Sequence, residues 1–169
     1  MIKLSAENGW VAKDQYGIQY PWYASDMLEL LDKMDLRGKY VFEYGCGHST
    51  HWFRSRGAFV DGVDSDIDWA DVAKVKFEKY YNEYTNRIHN SKYEWYDIIV
   101  IDGIYRDDCT EHALKNLKPG GMLIIDNWMQ PSVEPNEWTR TLELTKGMKS
   151  EVFAQEGHPD WKTIYFIKP

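Results

Sequence analysis

Along the 169-residue chain, apolar residues gather into short runs that each finish on an acid. Val41-Phe42 precedes Glu43, Phe59-Val60 leads through Val63 to Asp64, Ile98-Ile99-Val100-Ile101 precedes Asp102, and Met122-Leu123-Ile124-Ile125 precedes Asp126. β-Branched and aromatic residues in runs of this length predict strands at 40–44, 58–64, 96–103 and 122–126. The last two carry unbroken apolar stretches, the pattern of strands covered on both faces. Between the runs the apolar period lengthens to that of a helix. Trp22, Met27, Leu28, Leu30, Leu31 and Met34 mark a helix from Pro21 to a stop at Leu36-Arg37-Gly38. A short helix starts at His51, capped by Ser49 and Thr50, and ends before Gly57. Trp69, Val72, Ala73, Val75, Phe77 and Tyr80 predict one long helix over 66–84. Ala113, Leu114 and Leu117 predict another over 107–117, stopped by Lys118-Pro119-Gly120-Gly121. Arg87-Ile88-His89 reads as a short third strand. Pro131 and Pro135 mark a loop, a helix follows over 136–146, and two late strands fall near 151–155 and 163–167. Residues 1–20, with Gly9, Trp10, Gly17 and Tyr20, read as an irregular arm.

Strands alternating with helices make an α/β fold with a mostly parallel, doubly wound sheet, helices on both faces and an antiparallel excursion at the C-terminal end. Seven strands are expected, in a single domain over 1–169, with the arm and first helix (1–37) covering the pocket or the sheet. Ligands of such sheets bind beyond the carboxyl ends of the strands. That placement gathers Glu43, Asp64, Asp102 and Asp126 on one edge.

Composition enters mainly by what it excludes. A net charge of −7 argues against a general affinity for nucleic acid or an anionic membrane. Residues Met1 to Asn8 lack the apolar core of a secretory leader, and no apolar run is long enough to span a bilayer. The two cysteines, Cys46 and Cys109, lie in different motifs with neither metal-ligand nor disulfide spacing. Reduced thiols in a cytoplasmic protein are the expectation. The aromatic share of 15% fills the core and its margins, with some side chains left to line a pocket.

Candidate chemistry centres on Glu43-Tyr44-Gly45-Cys46-Gly47-His48-Ser49-Thr50, a strand end, a glycine turn and a helix start. Gly45 and Gly47 let the backbone turn and let a ligand approach, and the helix N-terminus favours a small polar ligand. A dinucleotide fingerprint needs a third glycine where Thr50 stands, and no Gly-Lys-Ser/Thr of a P-loop follows. Glu43 would repel a pyrophosphate and attract a cationic amino group or sulfonium. Asp64, 64 − 43 = 21 residues further on, suits the hydroxyls of a ribose. An adenosine with an amino-acid tail and a positive sulfur, S-adenosylmethionine, satisfies both acids. Cys46 as a nucleophile is disfavoured, because its turn already has a binding role and no fixed His partner is evident.

Four stretches then carry a resemblance: 41–50, Gly62-Val63-Asp64-Ser65-Asp66, Tyr96 to Gly103, and Leu117 to Asn127. In this order they resemble class I S-adenosylmethionine-dependent methyltransferases, Rossmann-like enzymes, over roughly residues 38–128. The resemblance implies that Glu43, Gly45 and Gly47 face the methionine part of the cofactor, with Cys46 and Ser49 lining the same turn. It implies that Asp64 holds the ribose, that Ser65 lies beside the adenine, and that His89 or Asn90 flanks it. Asp102 is expected near the methionine amino group and the methyl.

Asp102, Asp126 and Asn127 also resemble the positions that hold a divalent metal in catechol-type O-methyltransferases, where oxygen ligands suit Mg²⁺ or Ca²⁺. The lysine those enzymes place three residues beyond the first acid is Tyr105 here. Asp102 and His48 are the candidate bases, and Tyr105, Arg106 and Trp128 the candidate acceptor contacts. No Asn/Asp-Pro-Pro-Tyr/Phe tetrapeptide follows the fourth strand, so the expected acceptor is a hydroxyl on a small molecule or sugar rather than a nucleic-acid base. A non-catalytic adenosyl-ligand binder and an NAD-dependent oxidoreductase are the alternatives, and a homo-oligomer is left open.

Overall fold

The computed structural model describes residues 5–7, 11–14, 16–90, 94–130, 138–155 and 157–169. The arm is more ordered than its composition suggests. Strands β1 (Ser5–Glu7), β2 (Val11–Lys13) and β3 (Gln19–Tyr20) form a small antiparallel sheet. Gly9 and Trp10 lie outside the described residues. Helix α1 (Ser25–Asp32) starts later than Pro21. The cause is tertiary: the Ala24 N–H donates to Thr163 Oγ1 (3.1 Å) at the helix entrance.

The central elements follow in the expected alternation. They are β4 (Tyr40–Tyr44), α2 (His48–Ser55), β5 (Phe59–Asp64) and α3 (Ile67–Ala73). Next come β6 (Lys76–Phe77), α4 (Tyr81–Asn86), β7 (Tyr96–Ile101) and α5 (Arg106–Asn116). The chain closes with β8 (Leu117–Ile125), α6 (Thr139–Leu144), β9 (Lys149–Gln155) and β10 (His158–Ile167).

Three sequence expectations are corrected. The helix over 66–84 is broken, because Lys74 adopts a left-handed conformation (φ 54°) and the Glu78 N–H pairs with the Asp64 carbonyl. The third strand is therefore β6, and residues 87–90 form a 3₁₀ turn instead. Lys118-Pro119-Gly120-Gly121 ends α5 but also belongs to β8, since Gly120 pairs with the Lys168 carbonyl. The proline loop at 131–135 and the first turn of the helix expected from 136 lie outside the described residues.

The main sheet has seven strands in the order β6-β5-β4-β7-β8-β10-β9. Strands β4 to β8 run parallel, and β10 pairs antiparallel with both β8 and β9. The order reverses between β4 and β7, the switch point where such sheets open a ligand crevice. Alternate residues of each strand face opposite layers. Phe42, Tyr44, Ile99 and Ile101 pack with Tyr84, Ile88, Cys109 and Ala113 on the α4/α5 side. Val41, Ile98, Val100 and Ile124 pack with Met27, Leu28, Leu31, Trp52 and Phe53 on the α1/α2 side.

Backbone pairing continues past the strand ends at the switch point. Gly45 N donates to Val63 O (2.9 Å) and Asp102 N to Tyr44 O (2.7 Å). The two turns touch there: a Cβ on Gly45, which sits at φ 81°, would overlap Gly103, and one on Gly103 would strike the Tyr84 hydroxyl. Gly103→Ala therefore forces the β4 and β7 turns apart. The expected cost is about 1–3 kcal/mol, the usual penalty of overpacking, read as a lower urea midpoint at an unchanged slope.

Candidate functional site

A cleft of about 370 Å³ opens over the switch point, floored by Gly45, Gly103 and the Asp102 side chain. Cys46, Gly47, His48 and Ser49 form one wall, and Asp64, Trp69, Ile104 and Trp22 complete it. Strand period brings Glu43 under this floor, on the α1/α2 side, where it is fully buried. A buried carboxylate needs partners. Glu43 Oε2 accepts from the Thr50 hydroxyl, and Thr50 Oγ1 in turn accepts the Gly47 N–H (3.1 Å) at the start of α2. Glu43 Oε1 has no hydrogen-bond partner among the described residues, and neither has the buried Tyr23 hydroxyl. Burial pushes the Glu43 pKa up to about 7 against the opposing hydroxyls of Thr50 and Ser49.

Asp64 closes β5 and organises the turn opposite. Its Oδ2 accepts the Cys46 N–H (2.7 Å) and its Oδ1 the Asp66 N–H (2.8 Å). The Ser65 backbone N–H also acts on this carboxylate, whose two oxygens together offer about four lone-pair directions. Ser65 follows, half-buried. Asp66 caps α3 by accepting from Asp68 N and Trp69 N, which presents the Trp69 ring to Gly47 and, edge to face, to His48 at 5.3 Å. Cys46 is packed under the turn, with its thiol against the Glu43 and Val63 carbonyls. Burial, reinforced by Glu43 and Asp64, raises its pKa and keeps it a protonated thiol rather than a nucleophile.

The far side of the cleft departs from expectation. Arg106 is 5% exposed and points inward rather than at an acceptor. Its Nε donates to Gly103 O (2.8 Å), its Nη1 to Asp126 O (2.5 Å) and Asn127 Oδ1 (3.1 Å), and its Nη2 to Asp102 O (2.9 Å). Nη2 also pairs with Asp102 Oδ1 at 3.3 Å. Asp126 is buried, and its Oδ1 accepts from the Thr163 hydroxyl (2.5 Å). Burial raises the pKa of both Asp102 and Asp126, and each is pulled back by Arg106.

Trp128 is 6% exposed and packs on Trp138 (4.9 Å) and Phe166 (5.9 Å) in the core, so it does not reach the cleft. Tyr105 is partly exposed at the head of α5, edge-on to Tyr81 (5.0 Å). The His89 ring meets His112 (Nε2 to Nδ1, 2.5 Å) rather than the cleft lining, and the side chain of Asn90 lies outside the described set. Thr50, Trp69, Ile104 and Tyr23 take part in or under the site without a sequence pattern that marks them for it: Thr50 reads as a cap and Trp69 as part of a helix stripe. The Asp66 cap in front of Trp69 is the one local signal that could have found any of them.

No known family model matches the chain, and no curated relative matches it. Solved structures do. An O-methyltransferase from Bacillus cereus in complex with S-adenosylhomocysteine is 20% identical with a TM-score of 0.61, over 84% of this chain and 79% of that one. The fold is that of class I methyltransferases. The O-methyltransferase TomG from Streptomyces achromogenes, solved with S-adenosylmethionine, is 16% identical with a TM-score of 0.60, over 85% of this chain and 78% of that one. A Thermotoga maritima O-methyltransferase dependent on S-adenosylmethionine is 12% identical with a TM-score of 0.59, over 98% of this chain and 85% of that one. Among the described residues no helix is long and apolar enough to cross a membrane.

The raised pKa of Glu43 has a thermodynamic consequence. Its carboxyl titrates near 4.5 without the fold and near 7 within it. The stability it contributes is therefore complete below pH 4.5 and is lost as the pH rises through about 7. The loss is about 3 kcal/mol, and Asp64, Asp102 and Asp126, also raised, act with the same sign. Urea denaturation of the ligand-free protein is expected to show stability falling across this window. Glu43→Gln, which still accepts from Thr50, should make the decline shallower.

Proposed function

We propose that this protein transfers the methyl group of S-adenosylmethionine to a hydroxyl of a small molecule or sugar. The observation that carries the reading is the buried Glu43 carboxylate, with one oxygen unpartnered among the described residues, beneath a glycine turn whose cleft is lined by Asp64 and Asp102. A cationic amino-acid tail would lie over Glu43 and Asp102 and favour their ionised forms, and a ribose would hydrogen-bond the remaining lone pairs of Asp64. Gly45 and Gly47 leave the backbone open to the ligand, while Ser49, Ser65, His48 and the Trp69 ring would border it. The glycine–glycine contact at the floor and the orphaned Glu43 oxygen fit such a ligand.

When bound, S-adenosylmethionine supplies an electrophilic methyl on a positive sulfur. The chain's own task is then positioning and proton management. Holding the acceptor oxygen in line with the methyl accounts for much of the rate of such reactions. Asp102, exposed enough at 30% of its side chain to meet an acceptor, would take the hydroxyl proton. His48 at the rim is the second candidate base. Trp22, Ile104 and Tyr105 offer aromatic and apolar surface on the acceptor side. The solved O-methyltransferases of the same fold support an oxygen acceptor. The buried thiols of Cys46 and Cys109, which no disulfide joins, support a cytoplasmic setting.

Parallel calorimetric titrations with S-adenosylhomocysteine, S-adenosylmethionine and NAD test this reading. The adenosyl ligands should bind and NAD should not; binding of NAD alone would overturn it. Asp64→Ala should weaken adenosyl-ligand binding by about 1–3 kcal/mol, the cost of leaving buried polar groups unpaired. Asp64→Asn, which keeps the shape of the turn, should lose part of this. Unchanged affinity in both folded variants would show that Asp64 does not hold the ribose.

A further inference from the structure

Asp102, Asp126 and Asn127 converge at the ends of β7 and β8, where oxygen ligands could hold a divalent cation. The residues present do not fit that ion, because the position already contains a charge. A guanidinium has five N–H donors. Arg106 donates four hydrogen bonds, to Gly103 O, Asp126 O, Asn127 Oδ1 and Asp102 O, and also forms an ion pair with Asp102 Oδ1 at 3.3 Å. Two of these acceptors, Asn127 Oδ1 and Asp102 Oδ1, are side-chain oxygens that the metal reading requires. One oxygen of the Asp126 carboxylate, Oδ1, is taken by the Thr163 hydroxyl, which also accepts the Ala24 N–H (3.1 Å). A divalent ion would need to break the Asn127 and Asp102 contacts and then sit beside a buried positive charge. Among the described residues no group of three or more His, Cys, Asp and Glu side chains is arranged to hold a metal ion.

We propose that the Arg106 guanidinium is the permanent cation of this site and that the protein works without a divalent metal. The inference rests on the proposed methyl transfer only for its consequence, since the occupancy of the site is independent of the reaction. Arg106 is a positioning residue. It ties the turn after β7 to the turn after β8, fixes the rotamer of Asp102 at the cleft floor, and partly neutralises Asp102 and Asp126. The planar fork is needed for this, because a lysine has three donors from one point and cannot reach both turns.

The test is a titration of the intact protein with Mn²⁺, followed by electron paramagnetic resonance of the free ion, with and without S-adenosylhomocysteine. The wild type should bind no Mn²⁺ in the millimolar range, and neither chelator nor Mg²⁺ should change its affinity for S-adenosylhomocysteine. Arg106→Ala, which releases Asn127 Oδ1 and Asp102 Oδ1, should gain a Mn²⁺ site that Asp126→Asn added to it weakens. Mn²⁺ bound by the wild type and lost in Asn127→Ala would overturn the proposal. A folded Arg106→Ala that gains no ion would reduce Arg106 to a structural crosslink and overturn it as well. If Arg106→Ala fails to fold, the wild-type titration still decides between metal and guanidinium. Failure of S-adenosylhomocysteine to bind at all would count against the methyltransferase reading and leave the Mn²⁺ result to stand on its own.

Discussion

The burial of one carboxylate governs the arrangement of the site. Glu43 lies in β4, beside the switch point of the sheet, and is fully buried. Its stability there depends on the Thr50 hydroxyl, and Thr50 depends on the Gly47 N–H that it accepts. That short chain joins the strand end, the glycine turn and the first turn of α2 into a single unit. It leaves one Glu43 oxygen unpartnered beneath the cleft. The floor is kept thin because Gly45 and Gly103 meet without side chains, so a ligand above it can sense the charge below.

Four acids at one sheet edge would repel one another if each were left alone. The structure handles them in two pairs. Glu43 accepts from the Thr50 hydroxyl through one oxygen only, and Asp64 accepts two backbone N–H groups at the edge of the cleft. Asp102 is instead paired with the buried Arg106 guanidinium, which crosses to the Asp126 carbonyl, while the Asp126 carboxylate accepts from the Thr163 hydroxyl.

The parts legible in the sequence were those set by local pattern. Continuous apolar runs ending in Glu43, Asp64, Asp102 and Asp126 located the parallel strands, because a strand covered on both faces needs no partner to declare itself. The glycine turn and the place of Asp64 at the end of β5 followed from spacing. What escaped depended on contacts distant in the chain. Val72, Phe77 and Tyr80 mimic a helical apolar stripe, yet all three are exposed, and the segment breaks at Lys74 to place β6 beside β5. Arg106 looks like an ordinary loop arginine until the Asp126-Asn127 turn is folded against it. Trp128 stands next to that turn in sequence, but Trp138 and Phe166 draw it into the core. The arm's small sheet and Tyr23 under the cleft are likewise products of tertiary packing.

The most direct measurement is a crystal structure of the protein with S-adenosylhomocysteine. The ligand should lie over the Gly45–Gly103 floor, with its ribose hydroxyls on Asp64 and its amino group toward Glu43 and Asp102, and with the Arg106 guanidinium still bridging Asp102 and Asn127. A ligand seated elsewhere, or seated there with Asp64 making no contact to the ribose, would contradict the assignment of this cleft.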